Sequence, residues 1–304
     1  MIPVRFHVVS LVAVFLALAA GIALGGGPLS DLGRSDATGS APSRADRAAL
    51  SSARSAAGYG DELAVTAAPR LYGKALERRP VAVVVFPGVA DATVSAVTEQ
   101  VTAAGGTVSG TYALSKALVN PGEKALVDTL GSQLLTQVRE QNPDTSLSQD
   151  ASTYERAGEL LGLAVATTDT DRKAVVGPIA TTVLQSFAGA DLVTGADDAA
   201  TRAPDVVVLL GRDTDAQQDA IYEGLITGLA RQAAAVTVAA DAADGVDGRL
   251  SRLRETPVAG LVSTVDGVDR PTGQVTTVLT LARWPATKGG SFGASGSDGA
   301  VPLG

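Results

Sequence analysis

The chain has 304 residues, 45% hydrophobic and 18% charged, a globular composition with room for one sizeable domain plus extensions. Its net charge of −8 argues against a nucleic-acid partner, which needs a basic face, and supplies no polybasic patch for anionic lipid. Cysteine is absent, and Met1 and His7 are the only methionine and histidine. That excludes disulfides, thiolate metal sites and a cysteine nucleophile, and leaves the body without a histidine general base.

Residues 1–7 form a short head containing Arg5 and His7. Residues 8–24 (VVSLVAVFLALAAGIAL) carry no charge and end at Gly25-Gly26-Gly27-Pro28. A bilayer core needs roughly 17–25 apolar residues in a helix, so a single transmembrane helix is expected here. Val8, Leu11, Phe15, Leu18 and Leu24 are its anchoring side chains. Arg5 precedes the span while Arg34 and Arg44 follow it, so the basic residues alone do not orient it. Long domains translocate largely regardless of loop charge. A short head before one apolar span therefore predicts a cytoplasmic head and an extracytoplasmic body, single-pass in the cytoplasmic membrane. A cleaved signal peptide is the other reading, with residues 8–16 as its apolar region and Ala17-Leu18-Ala19 as the small-residue site.

Residues 25–80 read as a linker with a short helical stalk. The stretch 25–45 is rich in Gly, Ser, Pro and Asp without periodicity. Residues 46–57 are Ala-rich and fit a short helix or a weak coiled-coil stalk, but lack Leu or Ile heptads. Residues 69–79 look like a helical lead-in.

At residue 81 the texture changes. VAVVVF (81–86) is apolar at every position and stops at Pro87-Gly88. Such a run predicts a strand buried on both faces of a parallel sheet. Helix over 90–104, strand over 107–114, a helix opened by Asn120-Pro121-Gly122 and running toward Glu140, and helices over 152–161 and 175–187 follow. DVVVLLG (205–211) is a second strong strand. Helix 216–231, strand 233–240, helix 246–254, strand 258–266 and helix 272–282 complete the alternation. The expected class is α/β: a three-layer, Rossmann-like domain over 81–285 with a mostly parallel sheet. Strands near 81–86, 205–210, 234–239 and 260–265 should be interior. Residues 286–304, rich in Gly and Ser, read as a disordered tail.

The turn after the first strand, Phe86-Pro87-Gly88-Val89-Ala90-Asp91, lacks the G-x-G-x-x-G fingerprint of dinucleotide sites, and no P-loop motif occurs. Aspartates gather where strands end: Asp91, Asp213, Asp215, Asp241, Asp244, Asp266 and Asp269. Ligands bind at that edge of an open α/β sheet, so Asp213, Asp241 and Asp266 are candidates for a hard-cation site. The simpler reading makes these aspartates helix caps. S-x-x-K is absent, and the G-x-S-x-G match at residues 289–293 lies in the Gly/Ser-rich tail rather than at a strand-to-helix elbow, so catalytic residues and a cofactor are not expected.

The opening VRFHVVSLVAVFLALAAGIALGGGPL resembles the actinobacterial copper transporter family typified by MctB. So do APRLYGKALERRPVAVVVFPGVAD (68–91), PDVVVLLGR (204–212) and STVDGVDRPTGQVTTVLTLA (263–282). The resemblance spans most of residues 1–283. It implies copper homeostasis, and it extends to SteB-like bitopic envelope proteins that act in cell separation with a cytoplasmic SteA-like partner. Members often carry a longer coiled coil after the span. The residues favour a non-enzymatic, membrane-anchored binding or scaffold domain, with a homodimer formed mainly by the body if one forms. A copper efflux component or oligomeric pore is the first alternative. An enzyme using the acidic edge of the sheet is the second. Copper(I) prefers thiolate and thioether and copper(II) prefers imidazole, ligands that the body lacks.

Overall fold

A computed structural model describes residues 43–170, 174–195, 201–212 and 215–303. The head, the expected span 8–24 with its anchoring side chains, and Asp213 lie outside the described residues. Among those described, no helix is long and apolar enough to cross a membrane. Two compact units divide the chain, residues 1–56 and 57–304.

Helix α1 runs Arg44–Tyr72. Ser43 and Asp46 start it reciprocally: the Asp46 amide donates to the Ser43 hydroxyl, and the Ser43 amide donates to the Asp46 carboxylate. It ends at Gly73, whose φ of +54° suits a residue without Cβ and whose amide caps the Pro69 carbonyl. The separate stalk and lead-in expected from sequence are thus one helix. The body also begins before residue 81, because Ala68, Tyr72 and Leu76 are buried in a core cluster.

The first unit contributes residues 43–56 to the description, the exposed start of α1. In the second unit the chain alternates as expected. It runs β1 (Pro80–Val85), α2 (Asp91–Ala103), β2 (Thr107–Leu114), α3 (Lys124–Gln141), α4 (Thr153–Val165), β3 (Ala174–Val175), α5 (Pro178–Gly189), β4 (Val193–Thr194) and β5 (Thr201–Arg202). It continues through β6 (Asp205–Leu209), α6 (Asp219–Gln232), β7 (Ala235–Ala240), α7 (Ala242–Asp247), α8 (Arg249–Leu253), β8 (Ser263–Asp266), α9 (Pro271–Ala282) and β9 (Ser291–Phe292).

Seven strands make one sheet in the order β4-β2-β1-β6-β7-β8-β9. All its pairings are parallel except β2 with β4. β1, β6, β7 and β8 are interior, and Val83 and Val207, neighbours across the β1/β6 ladder, are fully buried. Successive side chains serve opposite faces. Ala82, Val84, Val206 and Val208 pack with α3, α4, α5, α6 and α8. Val81, Val83, Val85, Val207 and Leu209 pack with α1, α2 and α9. The result is three layers with two cores, which is why β1 and β6 are apolar at nearly every position.

Local differences from the sequence reading have physical causes. Val175 belongs to the two-residue strand β3 and is 68% exposed; the helix after it begins at Pro178, whose missing N–H is harmless there. Residues 257–260 form a 3₁₀ turn rather than strand. The expected helix over 246–254 is two short helices broken at Gly248. The expected disordered tail is ordered: β9 pairs in parallel with β8, and Phe292 enters the core. Glycine composition permits this rather than opposing it. At Gly293, with φ +109°, a Cβ would stand 2.4 Å from the Asp266 carbonyl oxygen.

Candidate functional site

The carboxyl edge of the sheet was the candidate place for a hard-cation site, with helix caps as the simpler reading. Asp241 follows β7 and Asp266 ends β8, and the ladder pairs Ala240 with Asp266, so the two candidates arrive side by side. Asp213 is outside the description. Among the described residues, no three His, Cys, Asp or Glu side chains gather as a metal set.

The side chains on this edge are largely committed to protein partners. Asp266 is fully buried; its Oδ1 accepts from Arg254 Nη2 at 2.8 Å, and its carboxylate also accepts the Ser295 amide. Arg254 further donates to the Phe292 carbonyl and to the Ser295 and Thr264 hydroxyls. Asp266 is therefore the anchor of a folded tail, held by a cation that sequence spacing did not connect to it. Asp269 accepts from the Ala242 amide at 2.9 Å and so caps α7 from another loop. Asp244, nearly buried, takes the Arg249 and Leu250 amides at the start of α8. Asp215 accepts from the Gln217 amide and caps a 3₁₀ turn. Asp91 occupies the first turn of α2 without a side-chain capping bond.

Asp241 differs. It holds the N-cap position of α7 but makes no side-chain cap. Burial and then the Asp269 carboxylate push its carboxyl above the ordinary value, while Arg212 opposes them. A carboxyl raised in the fold contributes its stability in full below its unfolded pKa, about 3.9, and loses it as pH rises through the folded value. At neutral pH the ionised group is a net liability. Asp241→Asn should accordingly raise Tm at neutral pH, with the gain vanishing below about pH 4. An unchanged or lower Tm at neutral pH would contradict the assignment.

An arginine cluster was not singled out from sequence. Arg249 is 1% exposed; its Nε donates to Asp219 Oδ1 at 3.0 Å, and its guanidinium lies 3.6 Å from the centroid of the Tyr222 ring. Arg252 also bonds Asp219. Burial raises the Asp219 pKa, but Arg252 and Arg249 outweigh it and hold the carboxyl below its ordinary value. The run RLSRLR (249–254) was the available signal. Its partners are distant in sequence, so spacing alone did not give its role.

Residues 1–303 match the family described as copper transport outer membrane protein, MctB. The copper transporter MctB of Mycobacterium tuberculosis and that of Mycobacterium bovis are each 31% identical to the chain over 310 residues, with 92% of both sequences covered. The match runs through the apolar opening, the α/β body and the ordered tail, so the chain belongs to the MctB family.

Proposed function

We propose that this protein serves copper homeostasis as a membrane-anchored scaffold whose α/β body engages a partner rather than the metal. One observation carries the reading: beyond residue 7 the sequence has no Cys, His or Met. Copper(I) coordination calls for thiolate or thioether, and copper(II) coordination for imidazole. The carboxylates that would remain for a hard cation are engaged by arginines and backbone amides at Asp266, Asp244 and Asp269. Tyr59 and Leu63, one turn apart on α1, are 71% and 55% exposed, which suits a protein contact.

Residues 8–24 supply the anchor in this reading, and the body stands outside the cytoplasm. The partners that follow are a second copy of the chain and a SteA-like cytoplasmic protein reading the inner end of the span. A role in envelope remodelling and cell separation is part of the same proposal. The sheet of the body is open, with β4 and β9 at its edges, so a pore alternative would have to be built from the span or from an oligomer.

Titration of the full-length protein with copper(I) against a competing chelator tests the reading. The expected result is no retention of copper by the protein at one equivalent. Tight stoichiometric binding would overturn the scaffold reading and restore direct copper handling.

A further inference from the structure

The sheet order reverses between β1 and β6: from β1 the chain crosses first to β2 on one side and later returns to β6 on the other. In an open α/β sheet, the crevice at such a switch point, beyond the carboxyl ends of the strands, is where small ligands bind. Here the loops after β1 and β6 meet closely. A Cβ at Gly211 would lie 2.0 Å from the Pro87 carbonyl oxygen, and Gly88, with φ +92°, faces the Gly211 Cα. Only glycine permits that approach at residue 211.

Beside this contact is a cleft of about 380 Å³ lined by Pro87, Gly88, Lys116, Val119, Asn120, Arg212, Gln218 and Tyr222. That size falls within the usual range of small-molecule sites, about 300–1,000 Å³. Its walls have an uncommon charge for this protein. Lys116 and Arg212 are both exposed, and no carboxylate lines the cleft among the described residues, although the chain has a net charge of −8. Asn120 and Gln218 add neutral amide donors, and Val119 and Tyr222 supply an apolar wall. Stacking on Phe86, with ring centroids 4.5 Å apart, and the Arg249 guanidinium 3.6 Å from its ring centroid fix Tyr222.

We infer that this cleft binds a small phosphate monoester, with Lys116 and Arg212 matching the dianion. Two cations suit a phosphoryl group better than a singly charged carboxylate, and an arginine fork presents paired donors to phosphate oxygens. The absence of G-x-G-x-x-G after β1 argues for a monoester rather than a dinucleotide. The inference goes beyond the scaffold reading and does not depend on copper: it makes the body a sensor or carrier of a phosphorylated metabolite.

Calorimetric titration of the full-length protein with glycerol 3-phosphate, and with neutral glycerol at matched ionic strength, tests it. Saturable binding of the phosphate ester and none of glycerol is expected. Lys116→Gln with Arg212→Gln should weaken binding by about tenfold or more with only a small fall in Tm, since both side chains are exposed and Arg212 offsets part of the cost of the Asp241 charge. Lys116→Arg with Arg212→Lys should retain most of it. No saturable binding at millimolar ester, or equal binding by the doubly neutralised protein, would overturn the inference.

Discussion

Gly158→Ala is expected to destabilise the body by roughly 2 kcal/mol or more, and Gly158→Val by about 4 kcal/mol. The reason is the closeness of α4 and α6. A Cβ on Gly158 would stand 2.2 Å from the Leu225 carbonyl oxygen, and one on Gly228 would stand 2.1 Å from the Glu155 carbonyl oxygen. Gly162 meets Gln232 in the same way, with a Cβ 2.7 Å from the Gln232 Cβ. Glycines four apart on each helix, 158 and 162 against 224 and 228, put both sets on facing stripes. At Gly158 and Gly228 the obstructing atoms belong to backbone, so no rotamer change relieves the clash. The helices must separate, and Leu160, Leu161, Tyr222, Leu225 and Leu229 lose packing in the same core. Helix propensity works the other way, favouring Ala over Gly by about 1 kcal/mol, and is outweighed.

A control distinguishes close packing from a general intolerance of substitution. Gly60, inside α1, has nothing within 4 Å of an added Cβ. Gly60→Ala should stabilise by a few tenths to about 1 kcal/mol. Urea unfolding of the full-length protein and its variants measures both. If Gly158→Ala proved as harmless as Gly60→Ala, the close approach of α4 and α6 would be wrong.

The contrast shows what the sequence carried. Continuous apolar runs at 81–86 and 205–210 revealed β1 and β6, because burial on both faces leaves no polar position to confuse the period. The pairs GELLG and GLITG were visible, but which helices face each other is a tertiary fact. β4 and β9 have two residues each, too few to show a period, and β9 sits in Gly/Ser-rich chain that composition reads as disorder. For the site, the position of Asp241 and Asp266 at the ends of strands followed from the alternation, whereas their adjacency comes from the pairing of β7 with β8. The neutralisation of Asp266 did not, because Arg254 reaches it from the end of a helix that precedes β8. The cleft between β1 and β6 was hidden for a similar reason: Lys116 and Arg212 are brought together by strand order, which alternation alone leaves undetermined.

Removal of the Asp266 carboxylate is expected to release the C-terminal segment and cost about 3–5 kcal/mol, the range for breaking one partner out of a buried ion pair. Asp266 is completely shielded and the Arg254 side chain is 13% exposed. Three elements converge on this pair. Arg254 bonds the Phe292 carbonyl and the Ser295 hydroxyl, the Asp266 carboxylate accepts the Ser295 amide, and β9 pairs with β8 just before Asp266. Asp266→Asn keeps the shape but leaves the Arg254 charge without its counter-ion, so the loss comes from an uncompensated buried cation rather than from a cavity. Adding Arg254→Gln should recover part of it, and the double variant should be less destabilised than the sum of the two single losses. The local consequence is separable from the global one. In Asp266→Asn, limited proteolysis should cut within 293–303 before the α/β body opens, since Ser295 loses the carboxylate that accepts its amide. A tail that stays protected, or a loss well under 1 kcal/mol, would mean that β9 and the burial of Phe292 hold the segment without the ion pair.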